Sequence, residues 1–199
     1  MLLETNKLSY TLEEYLEIEE TAEDRHEYRD GEIVLMTGGT TNHSQIAGNF
    51  YFYFRLALNN QDYKIFGSDV KIWIPRYRQG TYPDMMVIEG NPIYKDNRKT
   101  VITNPALIVE VLSKSTKNYD RGDKFLYYRS IEQFKEYILI EQDRYYVMQY
   151  TKTSDGQWLL KEYEGEEAIL SLSLVNLQIE FHQLYKGVEF LENEENFSI

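Results

Sequence analysis

The stretch ALIVEVLSKSTKNYDRGDKF, residues 106–125, begins as an apolar run that a single carboxylate interrupts. Leu107, Val109 and Val111 alternate with Ala106, Ile108 and Leu112, so both faces are apolar. That is the pattern of a central strand covered on both sides. Glu110 sits inside it. A buried Glu is rare unless it is paired or bound to a cation, because a lone buried carboxylate is costly or stays protonated. An internal salt bridge would satisfy it, and so would a metal ion. After Leu112 the chain turns through SKSTKN and enters a helix near Tyr119. Asp120 and Lys124, four residues apart, share a face of that helix. Taken alone, the pair reads as an exposed salt bridge worth about 0.3–0.5 kcal/mol.

Upstream, Asp84 follows Pro83 and starts the strand-like PDMMVIE. If this segment pairs antiparallel with residues 106–113, the start of one lies beside the end of the other. Asp84 and Glu110 then become neighbours at one end of a sheet. Two adjacent carboxylates repel, and a divalent cation relieves that; an all-oxygen donor set suits magnesium or manganese.

Around these segments the chain reads as a mixed α/β (α+β) domain. TLEEYLEIEE is a helix with Thr11 as its cap and Glu14 completing a capping box. RHEYRDGEIVLM is a hairpin turning at Asp30-Gly31. TNHSQIAGNFYFYFRLALNN is a second helix, with Ile46, Phe50 and Phe54 at helical spacing. SDVKIWIP is a strand, and NPIYKDNRKTVITNP a polar connection. EYILIEQ, YYVMQYTKT and QWLLKEYE are further strands, and a short helix closes LSLVNLQIEFHQLYKGV. The order α–ββ–α–βββ–α–βββ–(α) predicts one mixed β-sheet flanked by helices. No repeat or linker divides the chain, so one domain is expected over residues 1–199, with the acidic tail 192–199 frayed.

The chain has 199 residues, no cysteine and a net charge of −12. Cysteine-based nucleophiles, thiolate metal sites and disulfide scaffolds are thereby excluded. No segment has the composition of a signal peptide or membrane span, so the expectation is a cytoplasmic protein with no membrane partner. The charge is segregated. Residues 71–135 hold 12 Lys and Arg against 7 Asp and Glu, a net of +5; the remainder holds 9 against 26, a net of −17. The candidate acids and lysine lie in the basic part, where an anion can dock. An Asp, a Glu and a Lys around a divalent cation suit phosphodiester hydrolysis.

Asp84 in YPDMMVIEG, Glu110 in ALIVEVLS, and STKNYDRGDKFLYYRS followed by EYILIEQD resemble the Uma-type (Uma two) family of restriction endonucleases, part of the PD-(D/E)XK nuclease superfamily. The likeness extends from HEYRDGEIVLM through NHSQIAGNF to LSLVNLQIEFHQLYKGVEFL. It implies a restriction-endonuclease-like core, magnesium-dependent endonuclease activity on DNA, and a homodimer. By matching position it implies Asp84 and Glu110 as metal ligands, with the Val111 carbonyl as a third. The superfamily lysine two residues after the Glu is here Leu112, and Lys124 on the following helix takes its place. Glu27, His43, Asp69 and Asp120 carry over as accessory residues. Lys114 stands where the family has a proline, in a loop facing the substrate. Two other readings fit the residues: a catalytically silent nucleic-acid- or protein-binding module of the same fold, and a structural domain in which Asp84, Glu110 and Lys124 form an internal ion network.

Overall fold

The computed structural model describes residues 9–58, 62–96 and 98–190. The tail expected to fray, 192–199, lies outside the described residues. Helix α1 (Leu12–Thr21) starts with the expected capping box: Thr11 accepts from the Glu14 amide, and the Glu14 carboxylate accepts from the Thr11 amide at 2.8 Å. Its buried residues are Tyr15 and Leu16. Strands β1 (His26–Arg29) and β2 (Glu32–Leu35) form the expected hairpin. Its turn residues, Asp30 at φ 46° and Gly31 at φ 105°, take the left-handed conformations a two-residue hairpin requires. Helix α2 (Thr41–Ala57) is capped by Thr40 and buries Ile46, Phe50 and Phe54.

Then come β3 (Tyr63–Gly67), β4 (Lys71–Ile74), β5 (Gln79–Thr81), β6 (Met85–Glu89), β7 (Tyr94–Lys95), β8 (Arg98–Ile102) and β9 (Leu107–Leu112). A crossover follows, made of α3 (Lys117–Tyr119), a π-helical turn over Asp120–Lys124 and α4 (Phe125–Tyr128). The rest is β10 (Glu136–Glu141), β11 (Tyr146–Lys152), β12 (Trp158–Glu164), β13 (Ile169–Leu172), β14 (Leu177–Glu180) and α5 (Phe181–Leu184).

The mixed α+β class stands, but the strands do not make one sheet. They form two six-stranded sheets, ordered β2-β1-β5-β4-β8-β7 and β12-β11-β10-β9-β6-β3, and the ribbon β13-β14. Short strands account for the difference. The segment read as a polar connection contains β7 and β8, whose Val101 and Ile102 are buried while Lys99 and Thr100 are exposed. That half-and-half pattern masks the strand. The second sheet is mixed: β9 pairs parallel with β10 and antiparallel with β6.

All six residues of β9 are buried. Alternation divides them between two cores. Leu107, Val109 and Val111 join Met85, Val87 and α2 through Ile46, Phe50 and Phe54. Ile108 and Leu112 join Met86, Ile88, Tyr128 and Tyr137, together with Ile72 and Ile74 of the first sheet. Glu110 falls on this second face, among side chains that exclude water. On the far side of the first sheet, Tyr28, Trp73 and Val101 pack against α1.

Candidate active site

The ladder between β6 and β9 fixes the first pair. Met85 lies opposite Val109, so one further step sets Asp84 beside Glu110. The two are coupled through the backbone. The Val111 amide, past the end of the β6 pairing, donates to Asp84 Oδ2 at 2.7 Å, and the Asp84 amide faces Glu110 Oε2 at 3.4 Å. The other Glu110 oxygen is occupied. Oε1 accepts from Lys124 Nζ at 3.1 Å and from the Tyr128 hydroxyl at 2.9 Å.

The crossover brings the lysine in. Asp120, Lys124 and Tyr128 recur every four residues, so all three turn toward β9. Lys124 Nζ lies 3.0 Å from Asp120 Oδ1, but outside hydrogen-bonding angle. The Tyr137 hydroxyl donates to the Asp120 backbone carbonyl at 3.0 Å and anchors the π turn. The pair read in isolation as an exposed salt bridge is buried. From the first sheet, β1 adds Glu27, whose Oε1 is 3.6 Å from Lys124 Nζ. Thr81 and Arg29 hydrogen-bond Glu27.

His43 enters from the start of α2. Its amide donates to Thr40, and its Nε2 lies 3.1 Å from Asp84 Oδ2. Gly39 makes room for this: a Cβ there would stand 2.9 Å from His43 Nδ1. Asp84, Glu110, Lys124, Glu27, His43, Asp120 and the Val111 amide are thus brought together.

Asp69 is not joined to them by any bond among the described residues. It is exposed in the β3–β4 turn and lines a separate cavity of about 270 Å³ with Glu19, Lys71, Tyr82 and Arg98. Lys71 is buried there over the rings of Tyr15 and Tyr82, at 4.3 and 5.1 Å. Burial draws its pKa down to about 8. Sequence reasoning missed Tyr128, although the four-residue step from Lys124 was its signal. Arg29 and Thr81 had none, since only the sheet pairing brings them to Glu27.

The electrostatics follow from one count: three carboxylates, Glu27, Glu110 and Asp120, surround one ammonium. Burial pushes Glu110 up to about 8, with Lys124 opposing and Asp120 and Asp84 adding to the rise. Burial alone would lower Lys124, but Glu110, Glu27 and Asp120 hold it well above its ordinary value. The lysine keeps its proton, and the deepest acid resists losing its own. Glu27 is likewise pulled down against burial by Lys124, Thr81 and Arg29. His43 is raised against burial by Asp84.

At the Asp84 end Glu110 Oε2 faces the Asp84 amide, and the Asp84 carboxylate meets His43 but, among the described residues, no lysine or arginine. Among the described residues no cluster of three or more His, Asp or Glu has the geometry of a metal site. Two carboxylates plus water suit magnesium, which keeps much of its hydration and takes one or two protein carboxylates. Val111 adds a carbonyl on the strand edge that its amide already turns toward Asp84, since both backbone groups of a strand residue face the same neighbour. The residues therefore fit a hydrated divalent cation.

The family model Uma2, described as "Putative restriction endonuclease", matches residues 12–182. Two uncharacterized proteins of Synechocystis sp. are similar over most of their length. One, sll1609, is 40% identical over 89% of this chain and 99% of its own; the other, slr1290, is 38% identical over 89% and 92%. Among solved structures, "a putative nuclease belonging to DUF820 from Anabaena variabilis" superimposes with a TM-score of 0.71 at 18% identity. The match covers 88% of this chain and 97% of that one, a likeness of fold. No helix among the described residues is long and apolar enough to cross a membrane.

Proposed function

The chain belongs to the Uma2 family, and from that premise we propose that it is a metal-dependent endonuclease hydrolysing phosphodiester bonds of DNA, acting as a homodimer with magnesium or manganese. The observation that carries this reading is the convergence of Asp84, Glu110 and Lys124 at one end of β6 and β9. Asp84, Glu110 Oε2 and the Val111 carbonyl would hold the cation. When bound there, it supplies Lewis acidity toward the scissile phosphate.

The protein's own groups do the rest. Tyr128 and Lys124 fix Glu110 Oε1, so Oε2 is the oxygen turned to Asp84. His43 and the Val111 amide fix Asp84. Lys124 stays protonated, so it orients a water and offsets charge on the phosphate rather than accepting a proton. Glu27 and Asp120 aim it.

Supercoiled DNA incubated with the protein and magnesium or manganese tests this. Cleavage is expected, with loss on chelation. Asp84→Asn or Lys124→Ala should slow it by roughly 10²–10³-fold. No cleavage of any nucleic acid with either metal, or an Asp84→Asn protein as fast as wild type, sinks the reading. A second reading draws on the ion network around Lys124, which is closed without a metal: a silent binding module. Calorimetry with manganese separates the two, because only the nuclease must bind the ion.

A further inference from the structure

The acid–lysine cluster borders a row of side chains to which the proposed hydrolysis assigns no step. Arg29 NH2 bonds Glu27 Oε2 at 2.7 Å, and its guanidinium lies 4.1 Å over the Tyr119 ring. Tyr119 meets Tyr127 edge-on at 6.4 Å, and Tyr127 packs on Tyr77 at 4.9 Å. Arg76 lies 5.6 Å from the Tyr77 centroid. Lys124 Nζ, 5.6 Å from the Tyr119 ring, joins the row to the cluster. The row thus alternates cation, three rings, cation, assembled from β1, the turn at 75–77, α3 and α4.

The simplest alternative is ordinary packing of tyrosines. The core tyrosines show what that looks like here. Tyr15, Tyr28, Tyr128 and Tyr137 are fully buried, and each hydroxyl donates to a fixed acceptor. Tyr77, Tyr119 and Tyr127 stay partly exposed, and among the described residues their hydroxyls have no hydrogen-bond partner. Partly exposed rings flanked by arginines match single-stranded nucleic acid, whose bases stack on aromatics while arginines take the phosphates. In a duplex the base faces already cover one another. Glu32 and Asp123 lie near enough to the row to raise Arg29 and Tyr127, respectively. Those acids offset part of the row's positive charge.

We propose that Arg29, Tyr119, Tyr127, Tyr77 and Arg76 form a binding strip for unpaired nucleic acid that leads a single strand to the Lys124 cluster. The strip rests on the nuclease reading for the position of the scissile phosphate, but not for binding itself.

Fluorescence anisotropy of a short labelled oligonucleotide, single-stranded and as a duplex, in chelator, tests it. The single strand should bind at least about tenfold tighter. Tyr77→Ala and Tyr127→Ala should each weaken single-strand binding about tenfold and leave duplex binding unchanged, whereas Tyr77→Phe and Tyr127→Phe retain it. Arg76→Ala, at an exposed position, should lower the salt dependence, expected near a slope of about −1.4 for two phosphate contacts, by about half. Equal affinity for the duplex, or alanine variants that bind as wild type, overturns the strip; the phenylalanine variants separate lost stacking from lost folding. Tight single-strand binding with no cleavage in magnesium overturns the hydrolytic reading and leaves the strip. Duplex cleavage without single-strand preference does the reverse.

Discussion

Two buried lysines lie on opposite sides of the first sheet and are charged for different reasons. Lys124 faces the interior between the sheets, among Glu110, Asp120 and Glu27, and is held well above its ordinary pKa. Lys71 lies on the α1 side, over two tyrosine rings, and falls to about 8. Both are almost wholly buried. Burial pulls both down and prevails at Lys71; at Lys124 the carboxylate partners reverse it. A lysine ringed by carboxylates belongs to a charged machine, and a lysine ringed by tyrosines is a strained cation beside a cavity.

The comparison breaks first at Lys124. Lys124→Met leaves three buried carboxylates around an apolar side chain, and should cost about 3–5 kcal/mol. Urea unfolding at neutral pH reads this directly; a loss below about 1 kcal/mol would mean that Lys124 does not offset the charge of Glu27 and Asp120 as described.

Lys71→Met should act in the opposite direction. The folded pKa of Lys71, about 8, lies below its ordinary value of 10.5. Between those values the unfolded chain still holds a proton that the folded chain has released, so stability rises with pH. Below about pH 8 the full cost applies, at most about 3 kcal/mol from a shift of this size. Lys71→Met should therefore be more stable than wild type at pH 7, and the gap should close by about pH 10.5. A gap independent of pH removes the electrostatic account.

The smallest effect sharpens the comparison from outside. Thr11→Ala breaks the capping box of the helix that covers Lys71 and should cost about 1 kcal/mol. Amine labelling at Lys71 should quicken, while that at Lys124 stays unchanged. Equal quickening at both would show that the two sides of the sheet open together.

Much of the site was legible along the chain. One antiparallel pairing, guessed from Pro83 and the apolar run, sets Asp84 beside Glu110. A four-residue step sets Asp120 with Lys124. Glu27 was reachable only through resemblance, because its position depends on β1 pairing with β5 in another sheet. That sheet itself was hidden by short strands: β5 has three residues, β7 has two, and β8 carries exposed polar residues. Asp69 lies outside the cluster for a related reason: a turn at the end of β3 sets it in the lining of the Lys71 cavity, and spacing carries no record of that direction.

The π-helical turn over Asp120–Lys124 holds one residue more than an α-turn of equal span. Removing Gly122 would let the segment close as an α-turn of the same span, with both flanks keeping their orientation. The extra residue is slack that the crossover can give up: a one-residue deletion here is absorbed by the turn, whereas one in β9 would carry Glu110 to the other face of its sheet.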